Sequence, residues 1–168
     1  TNTSRITYGE YDEYGNPAWK AEFGWDDALY RFTEYEYSGA NWTLAQAHIV
    51  DKPTLVRTES ADGTRKAETV TAYDTSTGGG NARGNVDYMD VWTGAGYRRT
   101  SYRYDANGDK TEQTVSSGTA SRTTTIQYSR GTLDRVDSPI RMLFDRTVDP
   151  NSSLIMAERN GNNVTTNF

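Results

Sequence analysis

Short runs in which apolar and polar residues alternate strictly, each cut off by a glycine-containing polar turn, constrain this chain more than any other feature. Trp19, Ala21 and Phe23 alternate with Lys20 and Glu22. Leu29, Arg31, Thr33, Tyr35 and Tyr37 oppose Tyr30, Phe32, Glu34 and Glu36, and Val86, Tyr88, Asp90 and Trp92 oppose Asp87, Met89 and Val91. Successive strand side chains point to opposite faces, so each run specifies a strand with one drier and one wetter face. No window carries the i, i+3, i+4, i+7 stripe of a convincing helix. The expected fold is all-β: about ten to twelve short strands in successive antiparallel hairpins, forming a curled or wrapped sheet.

The punctuation agrees with that reading. Turn signals stand at Tyr14-Gly-Asn-Pro17, Ser38-Gly-Ala-Asn41, Ala61-Asp-Gly63, Thr93-Gly-Ala-Gly96, Ala106-Asn-Gly-Asp109 and Ser116-Ser-Gly118. Asn-Gly and Asp-Gly favour positive φ, which predicts two-residue hairpin turns of the primed types. A hairpin is accordingly expected on either side of Gly94-Ala-Gly96, followed by a turn at Asn107-Gly108. The one stretch with helical character is Thr43-Leu-Ala-Gln-Ala-His-Ile-Val50, ended before Pro53; Trp42 and the polar residues after it also read as a strand entry. The Gly-rich segment from Asp74 to Arg83 reads as a surface loop, since no Gly-x-x-x-x-Gly-Lys pattern makes it a phosphate cradle.

Aligning the runs on their Tyr-Asp pairs exposes a repeat. Tyr11-Asp12 is followed by Gly15-Asn16, Tyr73-Asp74 by a delayed Gly84-Asn85, and Tyr104-Asp105 by Asn107-Gly108, with weaker echoes at Tyr37, Tyr128 and Phe144. The unit is a strand ending in an aromatic, a polar turn and a polar return strand. In it the Asp carboxylate is placed to accept turn N–H groups and the Tyr ring to pack on the neighbouring repeat.

These segments, together with Asn41-Trp42 and Lys52-Pro53-Thr54, resemble the RHS/YD-repeat family, which includes bacterial RHS proteins, cocoon subunits of insecticidal toxin complexes and the barrels of teneurins. The resemblance runs over about residues 5 to 137 and is best from Tyr73 to Asp109. It implies hairpins stacked side by side into a sheet that winds into a hollow shell. Residues 138–168 are divergent: Val148-Asp-Pro-Asn-Ser-Ser153 shares only Asp-Pro with the family's C-terminal pattern, so no cleavage residue is assigned to Asp149 or elsewhere. The whole chain, 1–168, is read as one β-rich domain.

Composition narrows the function. Hydrophobic residues make up only 34% of the chain while Tyr alone supplies 12 residues, so half-polar rings stand where a Leu/Ile/Val core would be. A net charge of -5 argues against a nucleic-acid surface, which is basic. The absence of cysteine removes disulfides and thiol chemistry. No apolar run approaches the roughly 20 residues that span a bilayer, so membrane insertion is not expected. The start at Thr1 fits a processed precursor, a fragment or an excised piece. Sequons at Asn2, Asn41, Asn151 and Asn163 give a weak hint of secretion.

Candidate chemistry is sparse. His48 is the sole histidine and no nucleophile elbow accompanies it. The carboxylate pairs Asp26–Asp27, Asp87–Asp90 and Asp105–Asp109 have the composition a glycosidase needs, but in an acidic chain such pairs arise freely, and they are read as solvated strand faces and turn caps. Asp105, Asn107 and Asp109 have the alternating oxygens of a calcium loop without its length or its closing Glu. Trp19, Trp25, Trp42 and Trp92, with the Tyr residues, offer sugar-stacking platforms, but strand alternation is expected to put most of them on one face, where burial is the default use. Trp92, Tyr102 and Tyr104 are also expected to pack between repeats.

The resulting expectation is a non-enzymatic, secreted structural protein without catalytic residue, cofactor or metal, building an extracellular shell, stalk or filament. Its repeat-motif packing and turn residues are Tyr11, Asp12, Gly15, Asn16, Tyr73, Asp74, Trp92, Tyr104, Asp105, Asn107 and Gly108. The alternative is an adhesive or carbohydrate-binding β module. Self-association is expected through strand edges, since the runs Arg5-Ile-Thr-Tyr8 and Asn163-Val-Thr-Thr166 offer β-branched or aromatic residues with little charge.

Overall fold

The computed structural model describes residues 4–74, 83–129 and 131–168. Most of the Gly-rich segment, residues 75–82, lies outside the described residues. The fold is all-β, as expected, and its described strands number thirteen. They are β1 (Arg5–Tyr11), β2 (Pro17–Phe23), β3 (Leu29–Tyr37), β4 (Pro53–Ser60), β5 (Arg65–Tyr73), β6 (Val86–Trp92), β7 (Tyr97–Tyr104), β8 (Lys110–Ser117), β9 (Ala120–Ser129), β10 (Thr132–Asp137), β11 (Met142–Val148), β12 (Ile155–Asn160) and β13 (Thr165–Asn167).

The chain forms two compact units, Thr1–Arg98 and Arg99–Phe168, with the boundary inside β7. In the first, β1 to β6 are paired antiparallel in sequence order. In the second, β8 to β13 follow the same rule. Every such connection is therefore a hairpin between neighbours, the shortest loop closure an antiparallel sheet allows.

The turns correct one expectation. A primed two-residue turn of either type at Asn107-Gly108 would need positive φ at Asn107, but of the two only Gly108 is left-handed, at 92°. The loop is instead one residue longer: Gly108 N–H donates to Asp105 O at 3.1 Å and Asp105 N–H to Asp109 O at 2.9 Å. An Asp at the first position of an ordinary turn, followed by a left-handed residue, outcompetes the primed turn because its carboxylate satisfies the loop's own N–H groups.

The segment at 43–50 contains a short helix, α1 (Trp42–Gln46), rather than a strand entry. Asn41 decides it, its side chain accepting from Thr43 N at 3.0 Å and Leu44 N at 3.3 Å, as a helix N-cap does. A single 3₁₀ turn, Ser38–Ala40, precedes it. Ser38 is fully buried; its hydroxyl donates to Ile49 O at 2.9 Å and accepts from Lys52 N at 3.2 Å, tying the β3–β4 connection to itself.

Burial departs from the expected wet and dry faces. Among the described residues the buried apolar side chains are Ala21, Leu44 and Leu55, joined by the polar Thr33, Ser38, Glu68 and Thr100. Most other strand residues are half-buried on both sides, as in β2 and β10. Long side chains cover one another along each face, so cross-strand pairs stand in for an oily centre. The Trp19 and Phe32 rings stack at 5.9 Å, and Thr33–Thr58 and Thr114–Thr123 hydroxyl pairs lie 3.3 and 2.8 Å apart.

Candidate functional site

The expected motif residues converge on one recurring device, a carboxylate clasp at the hairpin mouth. Asp12 Oδ1 accepts from Tyr14 N at 2.9 Å and Asn16 N at 2.8 Å, while Asp12 N–H donates to Asn16 O and Gly15 N–H to Asp12 O. Burial would raise the Asp12 carboxyl, but the Asn16 side chain and the N–H groups of Asn16, Tyr14 and Gly15 hold it below the ordinary aspartate value. Asp105 repeats the pattern, accepting from Asn107 N at 2.8 Å and Asp109 N at 2.9 Å.

Asp74 makes the same clasp across a longer stretch of chain. Its Oδ1 accepts from Asn85 N at 3.0 Å and Arg83 N at 3.2 Å, and its N–H donates to Asn85 O at 2.9 Å. Asn160 carries the device where no Tyr-Asp pair signals it, accepting from Asn162 N and Val164 N at 3.0 and 3.1 Å, with Asn163 left-handed at 62° in the glycine's place. Asp62 is a variant: its carboxyl accepts from Ser60 Oγ at 2.6 Å and Thr64 N at 2.9 Å, bonds that pull it down to about 2.

The tyrosines of the motif differ from one another. Tyr11 is exposed, whereas Tyr73 is half-buried and its hydroxyl donates to Pro53 O on the adjacent strand at 2.9 Å. Tyr104 is half-buried at the end of β7, and Lys110 Nζ lies 4.7 Å from the Tyr102 ring. Trp92 is half-buried rather than sunk in a core, edge-on to Tyr97 at 5.3 Å with the Arg65 guanidinium 5.1 Å from its ring.

A polar cluster beside Trp92 went unmarked in the sequence. Glu68 on β5 is buried, and Arg57, directly opposite on β4, donates Nε–H to its Oε2 at 2.5 Å. Tyr97 OH donates to Oε1, Arg65 Nε lies 3.4 Å from Oε2, and Arg57 also reaches Glu34 on β3 at 3.2 Å. Burial alone would push the Glu68 carboxyl up, but the Tyr97 and Arg57 bonds hold it below the ordinary glutamate value. The bond to Glu68 in turn raises the Tyr97 hydroxyl. This Glu–Arg–Glu row locks the β3–β4–β5 register, because a one-residue slip would put the charges on opposite faces. The second unit has its own rows, Arg146–Glu158 at 2.8 Å and Arg159–Asp145 at 2.7 Å.

The other candidate residues are not brought into a site. His48 is exposed and left-handed just beyond α1. Asp87 and Asp90, three apart on β6, project to opposite faces, and Asp27 pairs with Arg5 at 2.8 Å while Asp26 caps its own turn. Asp105 spends an oxygen on the turn N–H groups, and among the described residues no three His, Asp or Glu side chains gather as a metal site requires. Trp25 and Trp42, 72% and 76% exposed, sit in a turn and in α1, so the four tryptophans form no common stacking face. Among the described residues no helix is long and apolar enough to cross a membrane.

No protein-family model matches the chain, and no curated protein matches its sequence. The chain is similar to part of the Photorhabdus luminescens Tc holotoxin pore structure, with 17% identity and a TM-score of 0.58 over 89% of this chain. A second similar structure is a TcdB2–TccC3–Cdc42 complex, at 13% identity and a TM-score of 0.43 over 94% of this chain. The chain spans 8% and 9% of those two chains. The first likeness establishes a shared fold.

Proposed function

We propose that this chain is a non-enzymatic stretch of hairpin-repeat wall from a secreted, shell-forming protein of the RHS/YD type. The observation that carries the reading is the repeated clasp: Asp12, Asp74, Asp105 and Asn160 each close a hairpin between sequence-adjacent strands. Such a sheet lengthens by adding hairpins, and each new one finds the same half-polar faces and cross-strand pairs. The fold shared with a segment of the Tc holotoxin pore structure supports the reading, as does the resemblance of the Tyr-Asp segments to repeats of toxin-complex cocoons. The work such a wall does is mechanical: stiffness from charged rows and clasped turns.

The same reading makes the outer edges of β1 and β13 the places where further strands add, including strands of a second copy. Ile6 and Tyr8 on β1 are 54% and 52% exposed. The test is sedimentation velocity with negative-stain imaging across a wide concentration range, for the native chain and for Ile6→Lys/Tyr8→Lys. Concentration-dependent particles or filaments that the double variant abolishes are expected. A chain that stays monomeric at every concentration overturns edge addition, and turnover of a glycoside or ester panel overturns the non-enzymatic reading.

A further inference from the structure

In the first unit an open groove of about 450 Å³ lies between the first clasp and the β3–β4 connection. Its aromatic lining is Tyr14, Tyr35 and Tyr37, and its carboxylates are those of Asp12 and Glu13; Glu36, between Tyr35 and Tyr37 on β3, also borders the groove but turns its side chain to the opposite face. No Lys, Arg or His lines it.

The groove is built rather than incidental. Tyr35 and Tyr37, two residues apart on β3, share a face and stack with ring centroids 6.2 Å apart. Tyr14 lies against Gly39 so closely that a Cβ there would come within 2.7 Å of its ring, so only glycine admits the ring at this depth. Asn16 Nδ2 donates both to Asp12 Oδ2 and to Val50 O at 2.9 Å, fastening the clasp to the connection. Tyr37 is raised by burial, by Tyr35 and by Asp12, so the clasp's negative charge is felt at the ring pair.

A phenolic ring face is the negative end of a quadrupole and attracts a cation within about 6 Å. Rings backed by carboxylates favour an organic cation over a neutral sugar, whose hydroxyls would have to replace the water of the acidic groups without neutralising them. From this charge complementarity we infer that the Tyr14–Tyr35–Tyr37 groove is a docking site for the lysine side chain of a basic segment on a protein partner. The alkyl stem lies along the rings and the ammonium meets the acidic rim. This inference stands apart from the wall reading, since a free-standing adhesive module would carry the same groove.

The test is amide chemical-shift mapping of the full chain titrated with the capped peptide acetyl-Gly-Gly-Lys-Gly-Gly-amide, its trimethyl-lysine form and its acetyl-lysine form. The two cationic peptides should shift resonances in 12–18 and 35–40, and the acetylated peptide should not. Tyr37→Phe, which keeps the ring, should bind within about threefold of the native chain, whereas Tyr37→Leu should bind at least about tenfold more weakly. Spectra of both variants report whether the fold is kept; if Tyr37→Leu unfolds, Glu13→Gln should still weaken binding and reduce its salt dependence. Equal shifts from the acetylated peptide, shifts from a neutral oligosaccharide at these residues, or no shift at millimolar cationic peptide would each overturn the inference.

Discussion

Arg57 and Glu68 face each other directly across the β4–β5 pair, joined at 2.5 Å, with the carboxylate buried and the guanidinium bridging onward to Glu34. In a sheet with few buried apolar side chains, this row fixes which strand residue opposes which. Arg57→Leu removes a directly bonded cation from a buried carboxylate and is expected to destabilise the fold by about 2–3 kcal/mol, below the full buried-pair value because Arg57 is part-exposed. The double variant Arg57→Leu/Glu68→Leu should recover part of that loss. Urea denaturation of the four-member cycle checks this, and additive losses would show that the two groups do not act as a pair.

The clasp at Asp105 separates two contributions. Asp105→Ala loses two charge-assisted bonds to turn N–H groups and should cost about 1–2 kcal/mol. Gly108→Ala forces a side chain into the left-handed region at φ 92° and should cost about 1–2 kcal/mol. Gly96 is not left-handed and has nothing within 4 Å of an added Cβ, so Gly96→Ala should stay within about 0.5 kcal/mol of the native chain. Melting temperatures of the three variants order them, and a neutral Asp105→Ala would refute the clasp as a stabilising device.

At the first strand pair, Gly9 lies beneath the Trp19 ring, and a Cβ at Gly9 would collide with it. Gly9→Ala is expected to displace Trp19 from its stack on Phe32 and cost about 1–3 kcal/mol. A red-shifted tryptophan emission alongside the lowered stability is the readout. Unchanged emission and stability would mean the ring has room to move.

Acid should unfold the chain from a defined point. The Glu68, Asp12, Asp62 and Asp137 carboxyls all lie below their ordinary values of 4.5 and 3.8. A group lowered in the folded state stabilises fully above its unfolded value and loses that contribution as pH falls through its folded one. The melting temperature should therefore hold level from pH 7 to about 5 and fall steadily below about 4.5, still falling near the value of about 2 for Asp62. A decline already complete at pH 5 would contradict the directions of these four shifts.

The strands were legible because alternation is a local property. β3 and β6 begin and end with the runs from Leu29 and Val86, and β2 ends with the run at Phe23 but begins two residues before Trp19, at Pro17. The Glu68 row was illegible because it depends on register, and the β4–β5 register shifts between Thr58 and Glu59; no periodicity within one strand shows which residue lies across from it. The turn type is hidden for the opposite reason. Asn107-Gly108 carries the composition of a primed turn, but Asp105, two residues earlier, decides the geometry through bonds that dipeptide statistics ignore. Asn41, with the capping preference of its residue type, was the available signal for α1.

Asp12 closes its hairpin onto Asn16 with three residues between them, 13–15, and Asp74 closes onto Asn85 with ten, 75–84, by the same carboxylate and main-chain contacts. Strand pairing on the inner side of the clasp is thus insulated from whatever sequence lies on its outer side. Because a flexible loop costs only about 0.6 kcal/mol more for each doubling of its length, such a mouth is a grafting port. Descendants of this chain are free to lengthen, diversify or exchange what they carry there while the sheet that bears it stays in register.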